Sequence, residues 1–455
     1  MQADTLITGA TLVTMDARRR VIRDGAVAFA GDTIVAVGKA AELAGIDART
    51  VIDGSRFLLT PGFVNAHVHV TETLIRGFVP GDLPFDETLG RWVIPLYKDH
   101  SPAEQAVAAR LAVAAMLRTG TTSFIEAGTI IAFDEVMAAI AGTGIRARIG
   151  RWTEDRAWDP AADAEALTRE ASAALERDLA AYPQDGRRIA AWPNLIGHMT
   201  ATDALWRQAT ALARRTGTGI SAHMSPVADD AAWYLAETGR RPVEHLADLG
   251  VLGPHLNLVH MVHIDAREAA LVAASGTRVT FCPDASLRSG YGAMRHGLFP
   301  EMAEAGVTIA LGTDGADNHD MMRVMALMAS LFRDAREDRS LFPAHAALEM
   351  ATVNGARVMG LADTIGALAV GMKADVVAHD LARPEWVPLN NPVEQLVASA
   401  DGRGVHSVWV DGVRVVEDQR CTLIDEAALQ AEGQAMAEAI LARSGLPLVS
   451  EWPVE

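Results

Sequence analysis

The chain opens with short runs of apolar and β-branched residues, DTLITGATLVTMD, DGAVAFAGDTIVAVG and RTVIDG, punctuated by Gly and Asp over residues 4–53. Such runs between turn residues predict strands. The same texture returns near the other end in MKADVVAHD and GVHSVWVDGVRVVED. Two all-β pieces of similar length and pattern, far apart in the chain, predict one small discontinuous β domain assembled from both termini.

Between them the period changes, and apolar runs alternate with helix-like segments. Strands are expected over 60–69, 121–127, 145–151, 188–193, 218–224, 256–260, 277–282 and 307–314. Helix starts are marked by Ser101-Pro102-Ala103-Glu104 and by Asp265-Ala266-Arg267-Glu268, each with a capping acid, and helix stops by Gly120 and Gly276. Strands that alternate with helices predict the α/β class and a closed (β/α)8 TIM barrel. An open doubly wound sheet is disfavoured, because no G-x-G-x-x-G turn follows the first strand. The Met-rich segment 320–332 is expected to be core. Segment 159–182 is expected to be a solvated amphipathic helix, and 426–446 a terminal helix lying on the body. The domain division that follows is 1–57, 58–368, 369–425 and a C-terminal helix and tail over 426–455.

Composition narrows the function. With 455 residues, 50% of them hydrophobic and 22% charged, the chain can bury a large core. A net charge of -18 repels phosphate backbones and anionic lipid, so neither nucleic acid nor a membrane is an expected partner. Apolar stretches are interrupted well before the roughly 20 residues that cross a bilayer. The start, MQADTLITGATLV, lacks a basic segment followed by an apolar run, so no secretory signal is expected. Cys282 and Cys421 make no disulfide framework and are expected as buried small apolar groups in a cytoplasmic protein.

The chemistry gathers at strand ends. In Pro61-Gly62-Phe63-Val64-Asn65-Ala66-His67-Val68-His69 the two histidines are two apart, so both imidazoles share one face. Two inward imidazoles are costly to bury unless something binds them, and a divalent metal satisfies both. His223, His260 and Asp314 close later expected strands, and a barrel collects such ends on the face where its active site lies. Any one of these residues alone reads as an ordinary core group. Their coincidence on one face points to a site.

PGFVNAHVH, LRTGTTSF, SAHMS, LVHMVHID, VTFCPDAS, IALGTDG, ATVNGARVMG and GALAVGMKAD together resemble, in order and over nearly the whole chain, the amidohydrolase superfamily. The resemblance is to the branch of guanine and S-adenosylhomocysteine deaminases and triazine chlorohydrolases. It implies a (β/α)8 barrel with a β-sandwich from both termini and a homo-oligomer, a dimer or larger. It also implies one divalent ion held by His67, His69, His223 and Asp314. Zn is the expected metal, with Fe(II), Mn and Co compatible with the ligand types. Two-metal relatives bridge their ions with a carboxylated lysine after strand four, and here no lysine lies between Lys98 and Lys373.

The implied enzyme hydrolyses a non-peptide C–N bond of a small molecule, as an aminohydrolase acting on a heterocycle. A bound divalent ion lowers the pKa of its water from 15.7 toward about 7. Asp314 would take the water's proton, and His260 would steady the attacking hydroxide or the developing oxyanion at an sp2 carbon. The sequence departs from the branch at one place. Its deaminases carry a glutamate three residues after the strand-five histidine, whereas here His223-Met224-Ser225-Pro226 puts a proline there. Proline transfers no proton. Asp229 and Asp230 follow closely, and Glu126 at the end of strand two is a second candidate, although an ordinary strand-end carboxylate is the blander reading. Further pocket candidates are Trp92, His198, Asn318 and His319, with His263 as a neighbour of His260. The missing acid keeps open a hydrolase of ureas, carbamates or halogenated rings. An inactive barrel scaffold is the alternative outside enzymes, and intact ligands argue against it.

Overall fold

The computed structural model describes every residue except Pro160, Glu451 and 453–455, so parts of the expected 159–182 helix and of the 426–455 tail lie outside the described residues. The first five strands are β1 (Gln2–Val13), β2 (Val21–Ala30), β3 (Thr33–Lys39), β4 (Asp47–Asp53) and β5 (Phe57–Pro61). Next come β6 (Phe63–Val68), β7 (Thr121–Glu126), β8 (Arg146–Ile149) and β9 (Ile189–Ala191). Then follow β10 (Leu195–Gly197), β11 (Ile220–Met224), β12 (Leu256–His260), β13 (Arg278–Phe281) and β14 (Ile309–Leu311). The last four are β15 (Val376–Asp380), β16 (Val405–Val410), β17 (Val413–Glu417) and β18 (Arg420–Cys421).

Both chain ends share one sheet, ordered β18-β17-β16-β15-β5-β1-β2-β3, with β4 beside β1. The join is antiparallel pairing of β15 with β5, Val377 opposite Thr60 and Ala378 opposite Leu59. Leu12, Phe29, Leu59, Val376 and Trp409 from the two ends bury one apolar cluster, which the unfolded chain would expose to water.

The run expected as one strand over 60–69 is divided at Gly62, where the chain leaves this sheet and enters a parallel one. A Cβ at Gly62 would stand 2.0 Å from Thr122 Oγ1, so only glycine permits the crossing. Strands β6-β7-β8-β9 form one parallel sheet and β10-β11-β12-β13-β14 another. The expected fourth strand, 188–193, is β9 alone, and a further short strand, β10, follows it unexpected. Pro193 has no N–H for a ladder, and the chain breaks between β9 and β10. Asn194 spans the break: its Oδ1 accepts the Ser221 N–H (3.1 Å) and its Nδ2 donates to the Glu126 carbonyl (2.6 Å). At the other edges, Asp314 N–H donates to the His67 carbonyl and His69 N–H to the Asp314 carbonyl, both 3.0 Å.

Helices occupy the connections. Ser101 and Glu104 form the expected capping box on Pro102–Arg118, and Asp265 and Glu268 do so on Ala266–Ser275, which ends at Gly276 with φ +70°. Met321, Met322, Met325 and Met328 are buried on the helix Met321–Ala335, and Cys282 and Cys421 are buried and unbridged, as expected. The segment 159–182 forms its helix over Ala164–Ala181, later than expected because Asp163 provides the N-cap. The terminal helix Glu426–Ser444 lies against Pro102–Arg118, with Arg443 paired to Glu104 at 2.7 Å. Buried Arg146 on β8 reaches Asp375 (3.2 Å) and Asp411, tying the parallel strands to the shared sheet. Among the described residues, no helix is long and apolar enough to cross a membrane.

Candidate active site

His67 in β6, His69 just beyond it, His223 in β11, His260 at the end of β12 and Asp314 beyond β14 converge at the C-terminal ends of the parallel strands. One ligand atom from each of His67, His223, His260 and Asp314 lies within 4.8 Å of the others. His69 belongs to the same cluster: its Nε2 is 2.9 Å from Asp314 Oδ1 and 3.3 Å from His223 Nε2. The backbone is strained here, since His198, Ser225, His260, Met261 and Asp314 all have φ between +49° and +75°, conformations that non-glycine residues hold at a cost and that cluster at functional sites.

Hydrogen bonds on the far sides of two rings decide what the near sides offer. His223 Nδ1 donates to the Ile196 carbonyl at 2.7 Å, which leaves Nε2 as a lone pair. Thr129 Oγ1 donates to Glu126 Oε1 (2.8 Å) and so accepts from His69 Nδ1 (3.3 Å), leaving the His69 Nε2 lone pair facing that of His223. Two lone pairs at 3.3 Å repel unless a proton or a cation lies between them. His67 is 1% exposed, and neither of its ring nitrogens has a hydrogen-bond partner. Its Nε2 is 3.3 Å from Asp314 Oδ1. Unpaired buried nitrogens around a carboxylate are the donor set a divalent cation takes, with the other ring nitrogens held by second partners.

Ionisation agrees. Burial pushes the imidazoles of His67, His223 and His260 below the ordinary histidine range, His260 to about 3, so they are neutral ligands or hydrogen-bond partners. Burial alone would raise Asp314, but the close approach of the His67 and His69 rings outweighs it and holds the carboxyl well below the usual range. Burial would also lower His69, yet Glu72, Asp314 and Glu126 hold it up at about 9; a histidine that binds metal gives up its proton.

A cavity of about 590 Å³ opens above the cluster, with His69, His223, His260 and Asp314 in its wall. Of the other candidates, His198 lines it. Glu126 does not: burial lifts its carboxyl to about 7, and Gly128 N–H, Thr129 N–H and Thr129 Oγ1 occupy its oxygens, so it orients His69 through Thr129. Trp92 is 2% exposed and packs on Phe78 in the main core, 5.5 Å between ring centroids, away from the cavity wall. Asn318 and His319 line a separate cavity of about 470 Å³, because the chain turns away after Asp317. His263 donates from Nε2 to the Tyr291 carbonyl (2.8 Å) and does not line the main cavity. Pro226 does line it. Asp229 is exposed, and buried Asp230 binds His198 Nδ1 (2.7 Å) and Ser225 N–H (2.8 Å). Sequence reasoning passed over Glu72, Arg76, Tyr97, Trp152, Arg288 and Tyr291, which all line the cavity. They lie in connections after strands, where no periodicity marks a direction.

A family model described as the amidohydrolase family matches residues 58–415. The chain belongs to this family. This amidohydrolase is 33% identical over 425 residues to a 5-methylthioadenosine/S-adenosylhomocysteine deaminase of Syntrophobacter fumaroxidans, covering 92% of this chain and 94% of the relative. A protein of the same name from Halobacterium salinarum is 34% identical over 411 residues, 87% of this chain and 89% of that one. Among solved structures, an adenosine deaminase from Xanthomonas campestris with bound zinc superposes with a TM-score of 0.88 at 29% identity, covering 97% and 99% of the two chains. An atrazine chlorohydrolase from Arthrobacter aurescens complexed with zinc gives 0.87 at 22% identity, covering 95% and 100%, and so shares the fold.

Proposed function

We propose that this amidohydrolase is a mononuclear, zinc-dependent aminohydrolase that releases ammonia from an amino-substituted heterocycle of the adenosine type. The observation that carries the reading is the cluster of His67, His223, His260 and Asp314, joined by His69, in which the buried nitrogens of His67 have no protein partner. The relatives named as deaminases and the zinc-bound adenosine deaminase of like fold support the reaction. His67, His69, His223 and Asp314 would hold the ion, which when bound supplies an acidified water and charge to polarise the reacting carbon. His260 takes the remaining place: its ring lies against Tyr291 (5.5 Å between centroids) at the cavity wall, where it accepts or donates a hydrogen bond at the attacking oxygen. Asp314 accepts that oxygen's proton, and the 590 Å³ cavity encloses the substrate and limits bulk water.

The reading includes a (β/α)8 barrel over 58–368, supported by the Asn194 link on one side and the His67–Asp314 backbone bonds on the other. Segments 1–57 and 369–425 would form the β-sandwich, with 426–455 as terminal helix and tail, in a cytoplasmic homo-oligomer. Pro226 in the cavity wall favours a second reading, hydrolysis of a urea, carbamate or halogenated ring, whose leaving groups need less protonation. The test is to strip and restore zinc, then measure ammonia from adenosine and 5-methylthioadenosine, amine from aryl ureas and carbamates, and chloride from chlorotriazines. Zinc-dependent ammonia release supports the first reading and amine or chloride alone the second. Turnover that persists without metal rejects both, and a zinc-loaded protein inert on all of them is a scaffold.

A further inference from the structure

We propose that Glu72, with Tyr97, recognises a second N–H donor on the substrate ring, which makes heterocycles bearing an amino group besides the leaving one the preferred substrate class; this rests on the aminohydrolase reading above. Glu72 lies on the short helical turn Val70–Ile75 that follows His69, and its carboxylate reaches the connection after β14. There Oε2 accepts the Ala316 N–H at 3.1 Å. Gly315 makes room for it, since a Cβ at that position would stand 2.7 Å from Oε2. One oxygen is therefore anchored between the two connections that carry His69 and Asp314.

The other oxygen has no such anchor. Oε1 is 3.8 Å from His69 Nδ1, beyond hydrogen-bond range, and that nitrogen is already bonded to Thr129. Beside it the Tyr97 hydroxyl, on a residue 2% exposed, has no partner in good hydrogen-bond geometry, although Glu72 and Thr129 approach it. Glu72 and Tyr97 both line the cavity. The other carboxylates of that wall meet side-chain donors: Glu154 accepts from Trp152 Nε1 (2.9 Å), Asp317 pairs with Arg288, and Asp314 with His67 and His69. Among the described residues, the one hydrogen bond of good geometry to Glu72 comes from a backbone N–H, with the Tyr97 hydroxyl as its side-chain neighbour. A half-buried carboxylate oxygen whose neighbouring hydroxyl is poorly aligned keeps a lone pair for a donor that arrives with the substrate. Sites built this way discriminate strongly against ligands lacking that donor.

The experiment compares adenosine with 2,6-diaminopurine riboside, which adds one ring amino group. Dissociation constants are measured by calorimetry on the zinc-loaded full chain, and ammonia release is followed in parallel. The diamino compound should bind roughly tenfold or more tightly, the usual effect of a hydrogen bond to a charged acceptor. In Glu72→Gln the amide oxygen keeps the Ala316 bond and turns an NH2 to the cavity, so the affinity ratio should fall toward one with zinc content unchanged. Tyr97→Phe should lower the ratio partway. Equal affinities in the unaltered protein, or a ratio that Glu72→Gln leaves intact, overturns the proposal. Ammonia from neither compound, with the binding ratio and its loss in Glu72→Gln both present, rejects the aminohydrolase reading and leaves this recognition standing.

Discussion

His198 Nδ1 and Asp230 Oδ2 are 2.7 Å apart, so the acid that follows Pro226 most closely in buried form faces a histidine and not the cavity. His198 in turn lines the cavity and stacks on His223, 5.4 Å between ring centroids. The carboxylate therefore fixes the ring's orientation, and whatever His198 touches in the substrate is placed by Asp230. Asp230→Asn should lower kcat/KM about tenfold or more, in line with misplacement of a positioning group, while zinc content stays at the unaltered level. Steady-state kinetics with elemental analysis checks both halves.

Pro226 leaves the cavity without the glutamate expected after the strand-five histidine. If the aminohydrolase reading holds, restoring the acid should help the leaving amine. Pro226→Glu should raise ammonia release from adenosine tenfold or more, since positioned acid–base groups contribute about 10²–10⁴-fold. A drop with adenosine and a rise with none of the panel would count against an amine leaving group.

Metal retention separates ligands from their neighbour. His67→Ala and Asp314→Asn should lose both zinc and turnover, because each removes a member of the buried cluster. His260→Ala should keep zinc and lose rate by about 10²–10³-fold, the usual effect of removing one group that stabilises developing charge. Zinc stoichiometry of the three variants decides; loss of metal in His260→Ala would move that histidine into the ligand set.

Asn194 joins the two parallel sheets where backbone pairing fails. Asn194→Ala would leave the Ser221 N–H and the Glu126 carbonyl without partners in a fully buried position. Unfolding by denaturant should show a loss of about 2–4 kcal/mol, the cost of stranding two buried polar groups.

Acid should weaken the docking of the terminal helix. Burial would raise the Glu104 carboxyl, but Arg443 and Ser101 hold it at about 2, below the ordinary 4.5. A depressed carboxyl contributes its full stabilisation above the unfolded value and loses it as pH falls toward the folded one. The stability difference between the unaltered protein and Glu104→Gln should be constant above about pH 4.5 and shrink between there and pH 2, as followed by thermal unfolding across that range.

Much of the architecture was readable in the chain because its signals are local. Alternation marked His67 and His69 as sharing a face, and β12 and the start of β7 fall where the apolar runs place them. Ser101 and Asp265 cap their helices through bonds spanning three residues. The strand break at Gly62 was not readable as a break, because only the neighbouring Thr122 and the sheet edges show why the chain must change partners there, and the short β10 after Pro193 was too brief to mark itself as a strand.

The same division holds at the site. Residue type and spacing named the five groups of the cluster, since histidine and aspartate at strand ends carry their chemistry wherever the strands meet. Which connection faces the cavity depends on how loops pack, and packing is set by contacts between residues distant in the chain. Folding thus sent Trp92 into the core, Asn318 and His319 to a second cavity, and Glu72 and Tyr97 to the wall beside the histidines. It also turned Asp230 toward His198. Hydrophobic periodicity is silent on such choices, because a loop side chain's direction follows from the three-dimensional neighbours that exclude it from, or admit it to, water.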